Sequence, residues 1–358
     1  MNQNRKIQQT AFLFLALLTA FLLFAAPELC TSALREGLAL CGGPLLVSLF
    51  PFLIVSSLVM RCGAGEMLGF LFWPVSRLIG IRAKSAGGVL LVGFLGGFAP
   101  AASAASEAVR TGQLSAKQAS ALLPACICSG PSFVILTVGE QLLGSRPLGM
   151  RLFVSQLLAG YLSAALLNRL HGRAEPKTAV PAPNPEPLPG LDTLIAQASV
   201  TYLKLCGFVL YFRLLAAGVG AVLPGGWAVL PAMLLEVCSG CDYASRTGLW
   251  ASTLCCAALS LQGASVLLQV RTICPAEVSF RPLLAARMVH LPLSLALFYL
   301  GLPQQAAETF STLSERVVTM RRVPLDCALL AFFMCCMAAW ELHRAARRIS
   351  LDKAVSRN

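Results

Sequence analysis

Apolar residues do not alternate along this chain; they run in blocks of about 15 to 25, separated by short clusters of Gly, Pro, Ser, Thr and charge. Such blocks predict helices long enough to cross a bilayer. The first, Ala11 to Ala26, follows Arg5 and Lys6 and contains no charge. It has the form of a signal peptide, with Leu29-Cys30 suggesting a lipoprotein site. Glu28 stands where a small residue is required, however, and the chain goes on as further spans, so the reading is an uncleaved helix with its N-terminus inside. A loop then completes an N-terminal unit, 1–37, and a second span, from about Leu38 to Met60, is interrupted by Gly42-Gly43-Pro44 and by Pro51, which predicts a kink or split. Glu66 to Gly80 holds Trp73, Pro74 and Arg77 and is too short to cross alone, so it is expected as an interfacial or re-entrant piece.

A glycine-rich run from Ala86 is expected to end at Pro100, and Ala101 to Val109 to form a short helix of small residues carrying Ser103, Ser106 and Glu107. Arg110 to Leu114 reads as a hairpin tip. Ser115-x-x-Gln118 has the form of a capping box and starts a return helix toward Cys128. Ser129-Gly130-Pro131 stops it, because Pro131 cannot donate and pushes Gly130 away from the α region. Ser132 to Leu143 continues as another apolar piece, and Leu148 to Leu167 is an ordinary span.

Residues 171–190 contain six prolines and few apolar anchors, and predict an extended linker between two halves, 38–170 and 191–302. In the second half, Thr193 to Leu205 reads as a moderately polar helix and Cys206 to Val222 as a span with Arg213 near its middle. A turn at Pro224-Gly225-Gly226 leads into Trp227 to Leu235. A hairpin follows near 236–262: out from Glu236, past a Ser239-Gly240 break set between the carboxylates Glu236 and Asp242, through the tip Arg246-Thr247-Gly248, and back through Leu249 to Leu261. Gln262-Gly263 breaks it, Ser265 to Cys274 continues, and Met288 to Leu302 is a further apolar block. The remainder, 303–358, divides into a polar stretch, a last span from Leu325 to Leu342, and a tail with Arg344, Arg347, Arg348, Lys353 and Arg357 that favours a cytoplasmic C-terminus.

The two halves share a pattern. Arg110-Thr111-Gly112 precedes Ser129-Gly130-Pro131-Ser132, and Arg246-Thr247-Gly248 precedes Gln262-Gly263-Ala264-Ser265: each is Arg-Thr-Gly, a helix-length spacer, then Gly-x-Ser. Small residues at such places let membrane helices pack closely. Recurrence in corresponding positions of two halves points instead to interrupted helices around a binding site, since broken backbone at membrane depth is tolerated only where it is buried or lines a cavity.

Composition fixes the environment. Of 358 residues 57% are hydrophobic and only 12% charged, against about 25% charged in soluble domains, so the chain is an integral membrane protein. The net charge of +12 lies mainly in short connections and the tail, as expected beside anionic lipid, and is not a nucleic-acid signal. The 14 cysteines fall mostly inside apolar runs, which argues for buried thiols and against a disulfide framework. Cys126-x-Cys128 and Cys238-x-x-Cys241 have the look of metal pairs, but none of the three histidines is near either, and no metal or cofactor is assigned. No nucleophile elbow, P-loop or dinucleotide fingerprint occurs, so the chain reads as a non-enzyme without ATP coupling.

Phe98-Ala99-Pro100, Ser129-Gly130-Pro131-Ser132-Phe133-Val134-Ile135, Glu236-x-x-x-Gly240-Cys241 and Gln262-Gly263-Ala264-Ser265-Val266-x-x-Gln269 resemble the sporulation integral membrane protein family YlbJ (SpoVV). The likeness runs from about Leu38 to Leu302. That family belongs to the gate-domain, or nucleoside-recognition, proteins, whose paired hairpins resemble those of concentrative nucleoside transporters and of the iron permease FeoB. The resemblance implies an all-α polytopic bundle of two pseudosymmetric gate repeats with helical hairpins and discontinuous helices. It also implies a sporulation-associated carrier of dipicolinic acid from mother cell to forespore, placed in the bacterial cell membrane or the outer forespore membrane. Ile127 and Cys128 stand where the family pattern has polar Asn or Thr before Ser-Gly-Pro, and Ala264 and Leu268 replace bulkier or more polar residues, which weakens a claim of identical substrate contacts.

The expected substrate-binding set is Pro100, Ser103, Ser129, Gly130, Pro131, Ser132, Arg213, Glu236, Ser239, Gly240, Gln262, Gly263, Ser265 and Gln269. The free N–H groups and positive dipole ends at Gly130–Ser132 and Gly263–Ser265 would suit the carboxylates of a small anion. Arg213 at membrane depth would either meet that anion, snorkel, or pair with Glu236. Glu236 and Asp242 are candidates for a coupling cation or proton. Glu107 is expected to pair with Arg110, and His290 to be structural. The expected partners are thus a small-molecule anion, the lipid bilayer and a coupling ion, with no nucleic acid and with a homo-oligomer open. Two other functions stay in view: a gate-domain carrier of nucleosides or another organic anion, and a non-transporting scaffold of spore-envelope assembly.

Overall fold

A computed structural model describes residues 2–170, 190–223 and 225–300. The proline-rich linker, the turn proline Pro224, and the whole of 303–358 with its expected span and basic tail lie outside the described residues. What is described is helical, with no strand among those residues. Four helices are long and apolar enough to cross a membrane, or up to six spans if each of two bent pairs counts as one. The protein is an all-α, polytopic membrane protein.

Helix α1 (Asn2–Ala25) meets α2 (Pro27–Leu40) at a bend of 108°. The sequence reading leaves 27–37 as a loop; in the structure it is helical. Pro27 in the first turn and Glu28 beside the positive helix end are helix-start signals, and Cys30, Ala33 and Gly37 give α2 a buried stripe. The chain then splits as expected at Gly43, which is non-helical, before α3 (Leu46–Arg61). A 97° bend leads into α4 (Ala64–Leu68) and, after a 3₁₀ turn, α5 (Trp73–Ile79), which together cover the short stretch 66–80. Helix α6 (Lys84–Gly96) crosses this piece at backbone contact: a Cβ on Gly69 would lie 2.4 Å from the Gly88 nitrogen, which accounts for Gly87 and Gly88 of α6.

The first hairpin is α7 (Phe98–Arg110) and α8 (Ala116–Cys126), continued by a π-helical segment, Ser132–Leu142. The break before α7 falls at Gly97 and not at Pro100. Pro100 sits in the first turn, where N–H groups have no intrahelical partner and their loss is free. The capping box forms: Ser115 Oγ accepts from the Gln118 N–H at 3.2 Å and Gln118 Oε1 from the Ser115 N–H at 3.0 Å. Helix α9 (Arg146–Leu170) closes the half.

In the second half the expected two pieces merge into one 32-residue helix, α10 (Leu191–Val222). Its buried stripe Leu194, Ala198, Tyr202, Leu205, Val209 and Phe212 continues at a spacing of three or four through the position where polarity suggested a boundary. Then come α11 (Val229–Leu235), α12 (Val237–Ser245), α13 (Ala251–Leu261) and α14 (Gly263–Ile273). Helix α15 (Arg281–Leu300) starts well before Met288 and packs on α9, α13 and α8, joining the halves.

Each half therefore runs helix, break, helix, tight turn, helix, break, helix. The tips match as well: Gly112 and Gly248 have φ of 71° and 64°. Thr111 and Thr247 hydroxyls each donate to a carbonyl of the preceding turn, at 2.8 and 2.7 Å. Arg110 pairs with Glu107 at 2.7 Å, as expected, and Arg61 joins them at 2.9 Å; Arg246 pairs with Asp242 at 2.8 Å.

Candidate functional site

Within each half the two breaks cross. In the first, Gly97 (φ 79°, ψ −161°) separates α6 from α7, and Ile127 to Pro131 separates α8 from the π-segment. A Cβ on Gly97 would sit 2.5 Å from the Gly130 nitrogen, so the two interruptions lie against each other. In the second, Glu236 separates α11 from α12 and Gln262 separates α13 from α14; a Cβ on Gly263 would lie 3.0 Å from the Glu236 nitrogen. The two crossings are linked, since Gln262 Nε2 donates to Ser129 Oγ at 3.2 Å.

A broken helix must dispose of its terminal N–H and C=O groups. At α12 this is done by Glu236, which is buried. One oxygen accepts from the Cys238 N–H at 2.8 Å; the other accepts from the Ser239 N–H at 2.6 Å and Ser239 Oγ at 2.9 Å. The chain's own carboxylate thus occupies that positive end. The other three N-termini at the crossings, those of α7, the π-segment and α14, have no side-chain cap. Gln262 is the sole non-glycine residue with positive φ (65°) among the described residues. Its side chain is the reason for a Gln there: Nε2 also binds the Leu259 carbonyl at 2.6 Å, satisfying the end of α13.

The carbonyl ends converge on a residue the sequence reading passed over. Arg287 of α15 is buried; its Nη2 donates to the Ile127 carbonyl at 2.6 Å and its Nη1 to the Ser260 carbonyl at 3.2 Å. One guanidinium therefore holds the C-terminal ends of both return arms, where the helix dipole favours a cation. The clue was an Arg one residue ahead of the expected apolar block; helix α15 extends back far enough to take it inside. Around it runs a buried polar network. Gln156 Nε2 donates to the Cys256 carbonyl and Ser260 Oγ, both at 3.0 Å, and His290 Nε2 meets the Gln156 carbonyl at 3.0 Å, the structural role expected of His290.

The expected site residues divide as follows. Ser129, Gly130, Glu236, Ser239, Gln262 and Gly263 lie at the crossings. Pro131 and Ser132, half-buried, begin the π-segment. Ser265 and Gln269 bond each other at 2.8 Å on α14. Gln269 and Glu236, with Phe98, Cys41, Cys238 and Tyr202, line a cavity of about 30 Å³ between the second crossing and α10, room for a water or two. Pro100 packs against Gly96 beneath the first break, and Ser103 lies a turn further along α7, half-buried. The break expected at Ser239-Gly240 does not occur: both lie inside α12, the break falls at Glu236, and Gly240 serves close packing of α12 on α11, since a Cβ there would be 2.7 Å from Met233 Cα. Arg213 stands apart: its Nη2 pairs with Glu36 Oε2 of α2 at 2.6 Å, and not with Glu236. Gly97 and Tyr202 are further participants absent from the expected set.

The 11 cysteines among the described residues are free thiols, and no three of His, Cys, Asp and Glu among those residues come together as a metal site. Comparison with protein-family models, with curated proteins and with solved structures finds no match.

Proposed function

We propose that this protein is a membrane carrier of a small organic anion. The observation that supports it is the crossing of two broken helices in each half, with the two crossings bonded through Gln262 and Ser129. Interrupted helices cost backbone hydrogen bonds in an apolar setting, and carriers use them to present helix ends to a substrate near mid-membrane. Three of the four N-termini there are open and favour negative charge. The resemblance to the YlbJ family makes an aromatic dicarboxylate of the dipicolinate kind the first substrate to try, with passage toward the forespore as its setting. The cavity beside Glu236 holds only a water or two, so transport requires the hairpin arms to part.

The test is flux of labelled dipicolinate into proteoliposomes holding the purified full chain, with other dicarboxylates and a neutral nucleoside as competitors. Sodium and proton gradients are imposed in separate runs. Saturable uptake, displaced by dicarboxylates and not by the nucleoside, is the expected result. Displacement by the nucleoside alone moves the substrate class to nucleosides. Folded protein with no flux above empty liposomes overturns the carrier reading and favours a scaffold.

A further inference from the structure

Five buried side-chain polar atoms among the described residues lack a hydrogen-bond partner, and one of them, Arg61 Nε, is 2.9 Å from the Glu107 carboxylate. The other four are Arg287 Nε, Tyr161 Oη, His290 Nδ1 and Gln262 Oε1. They belong to one neighbourhood. Arg287 binds the carbonyls of Ile127 and Ser260; Gln262 is two residues beyond Ser260 and binds Ser129, two residues beyond Ile127. His290 is one turn along α15 from Arg287 and binds the backbone of Gln156, and Tyr161 follows Gln156 on α9. Gly160, next to Tyr161, packs against the Pro124 and Ala125 carbonyls, three and two residues before the Ile127 carbonyl that Arg287 holds.

Buried polar atoms are almost always paired, so a concentration of orphans at one junction marks a place where something else binds. The chemistry of the orphans says what. Arg287 Nε–H and Tyr161 O–H donate, while Gln262 Oε1 accepts, as does His290 Nδ1, because the ring proton sits on Nε2 facing the Gln156 carbonyl. The guanidinium carries a full charge inside the helical core, and no carboxylate among the described residues pairs with it. Glu236, the buried acid at the crossings, is already engaged by α12. A buried cation left without a counter-charge is costly, and intramembrane charges of this kind lie on substrate paths.

We infer that the junction of the two return arms is a carboxylate-binding site, with Arg287 as its cation and Tyr161 as a second donor. This rests on the carrier reading and deepens it: Arg287 receives the substrate's negative charge, whereas Arg213 is committed to Glu36. Because Arg287 also holds the carbonyls of Ile127 and Ser260, a carboxylate drawn to it bears on both halves at once, which links occupancy to the position of both hairpins.

The experiment reads binding separately from transport. Purified full-length protein in detergent is titrated with dipicolinate, and with benzoate as a monocarboxylate, while its thermal unfolding midpoint is followed. Wild type should be stabilised in a saturable way. Tyr161→Phe removes a hydroxyl that has no hydrogen-bond partner among the described residues, so it should leave the unliganded midpoint unchanged and weaken binding about threefold to tenfold. Arg287→Lys should abolish the ligand-induced shift, and Arg213→Gln should keep it. No shift in wild type with either acid, or an undiminished shift in both Tyr161→Phe and Arg287→Lys, overturns the site. Flux by the same preparations judges the carrier reading independently: binding without flux keeps the site and removes the carrier, and flux indifferent to Arg287→Lys does the reverse.

Discussion

At the first crossing the chain is interrupted by backbone alone. Gly97 takes a conformation with φ 79° and ψ −161° that only glycine adopts readily, Gly130 leans on it, and no side chain caps α7 or the π-segment. At the second crossing side chains do the corresponding work. Glu236 caps α12 with its carboxylate, and Gln262 accepts a φ of 65° so that its amide can close the end of α13 and reach Ser129. The arms differ too: Gly97 precedes Arg110 by 13 residues and Glu236 precedes Arg246 by 10, while Gly130 and Gly263 follow their arginines by 20 and 17. Each second-half arm is shorter by three residues, near one helical turn, which roughly preserves the face it presents. One geometry is thus reached with no side-chain cap on either helix start and with a carboxylate sealing one of the two. The difference teaches that the layout of breaks and the chemistry placed on them vary separately.

Three experiments probe this contrast. Gly97→Ala combines a backbone conformation foreign to alanine with a Cβ 2.5 Å from the Gly130 nitrogen, and should cost about 3 kcal/mol or more in detergent unfolding. Gly248→Ala, with similar positive φ but open space, should lose only about 1 kcal/mol; equal losses would mean the first crossing is not tightly closed. Next, Glu236→Gln leaves one oxygen for the N-terminus of α12 and turns an amide nitrogen toward donors, so a loss of about 2 kcal/mol is expected in the same assay. An unchanged midpoint there would show that the carboxylate does not seal the helix end. The smallest effect belongs to the link between crossings. A double-mutant cycle of Gln262→Ala and Ser129→Ala should give a coupling of about 0.6 kcal/mol, and a coupling of zero would leave the two crossings energetically independent.

Much of the site could be read in the residues. Gly130-Pro131 and Gln262-Gly263 are recognisable helix stops, Ser115-x-x-Gln118 a recognisable start, and the repeated Arg-Thr-Gly marks both tips. These signals are local: each concerns the allowed φ, the missing N–H or the capping oxygen of a few neighbouring residues. Misplacements arose where a local signal was outweighed by packing. Polarity suggested dividing α10, but its unbroken buried stripe keeps it whole. Pro100 looked like a stop, yet in a first turn it costs nothing, and Gly97 carries the break. Glu236 was a sound alternative as partner for Arg213, but α2 brings Glu36 to within 2.6 Å.

The sequence alone therefore decided the membrane class, the helical content, the tips and two of the four break points, because hydropathy blocks and turn chemistry act over one or two helical turns. Which breaks touch, which end Glu236 seals, and that Arg287 gathers the carbonyl ends of two arms were settled only in three dimensions. Those contacts join residues such as Ile127, Ser260 and Arg287, which no helical period relates, and they exist only once α15 is laid across both halves.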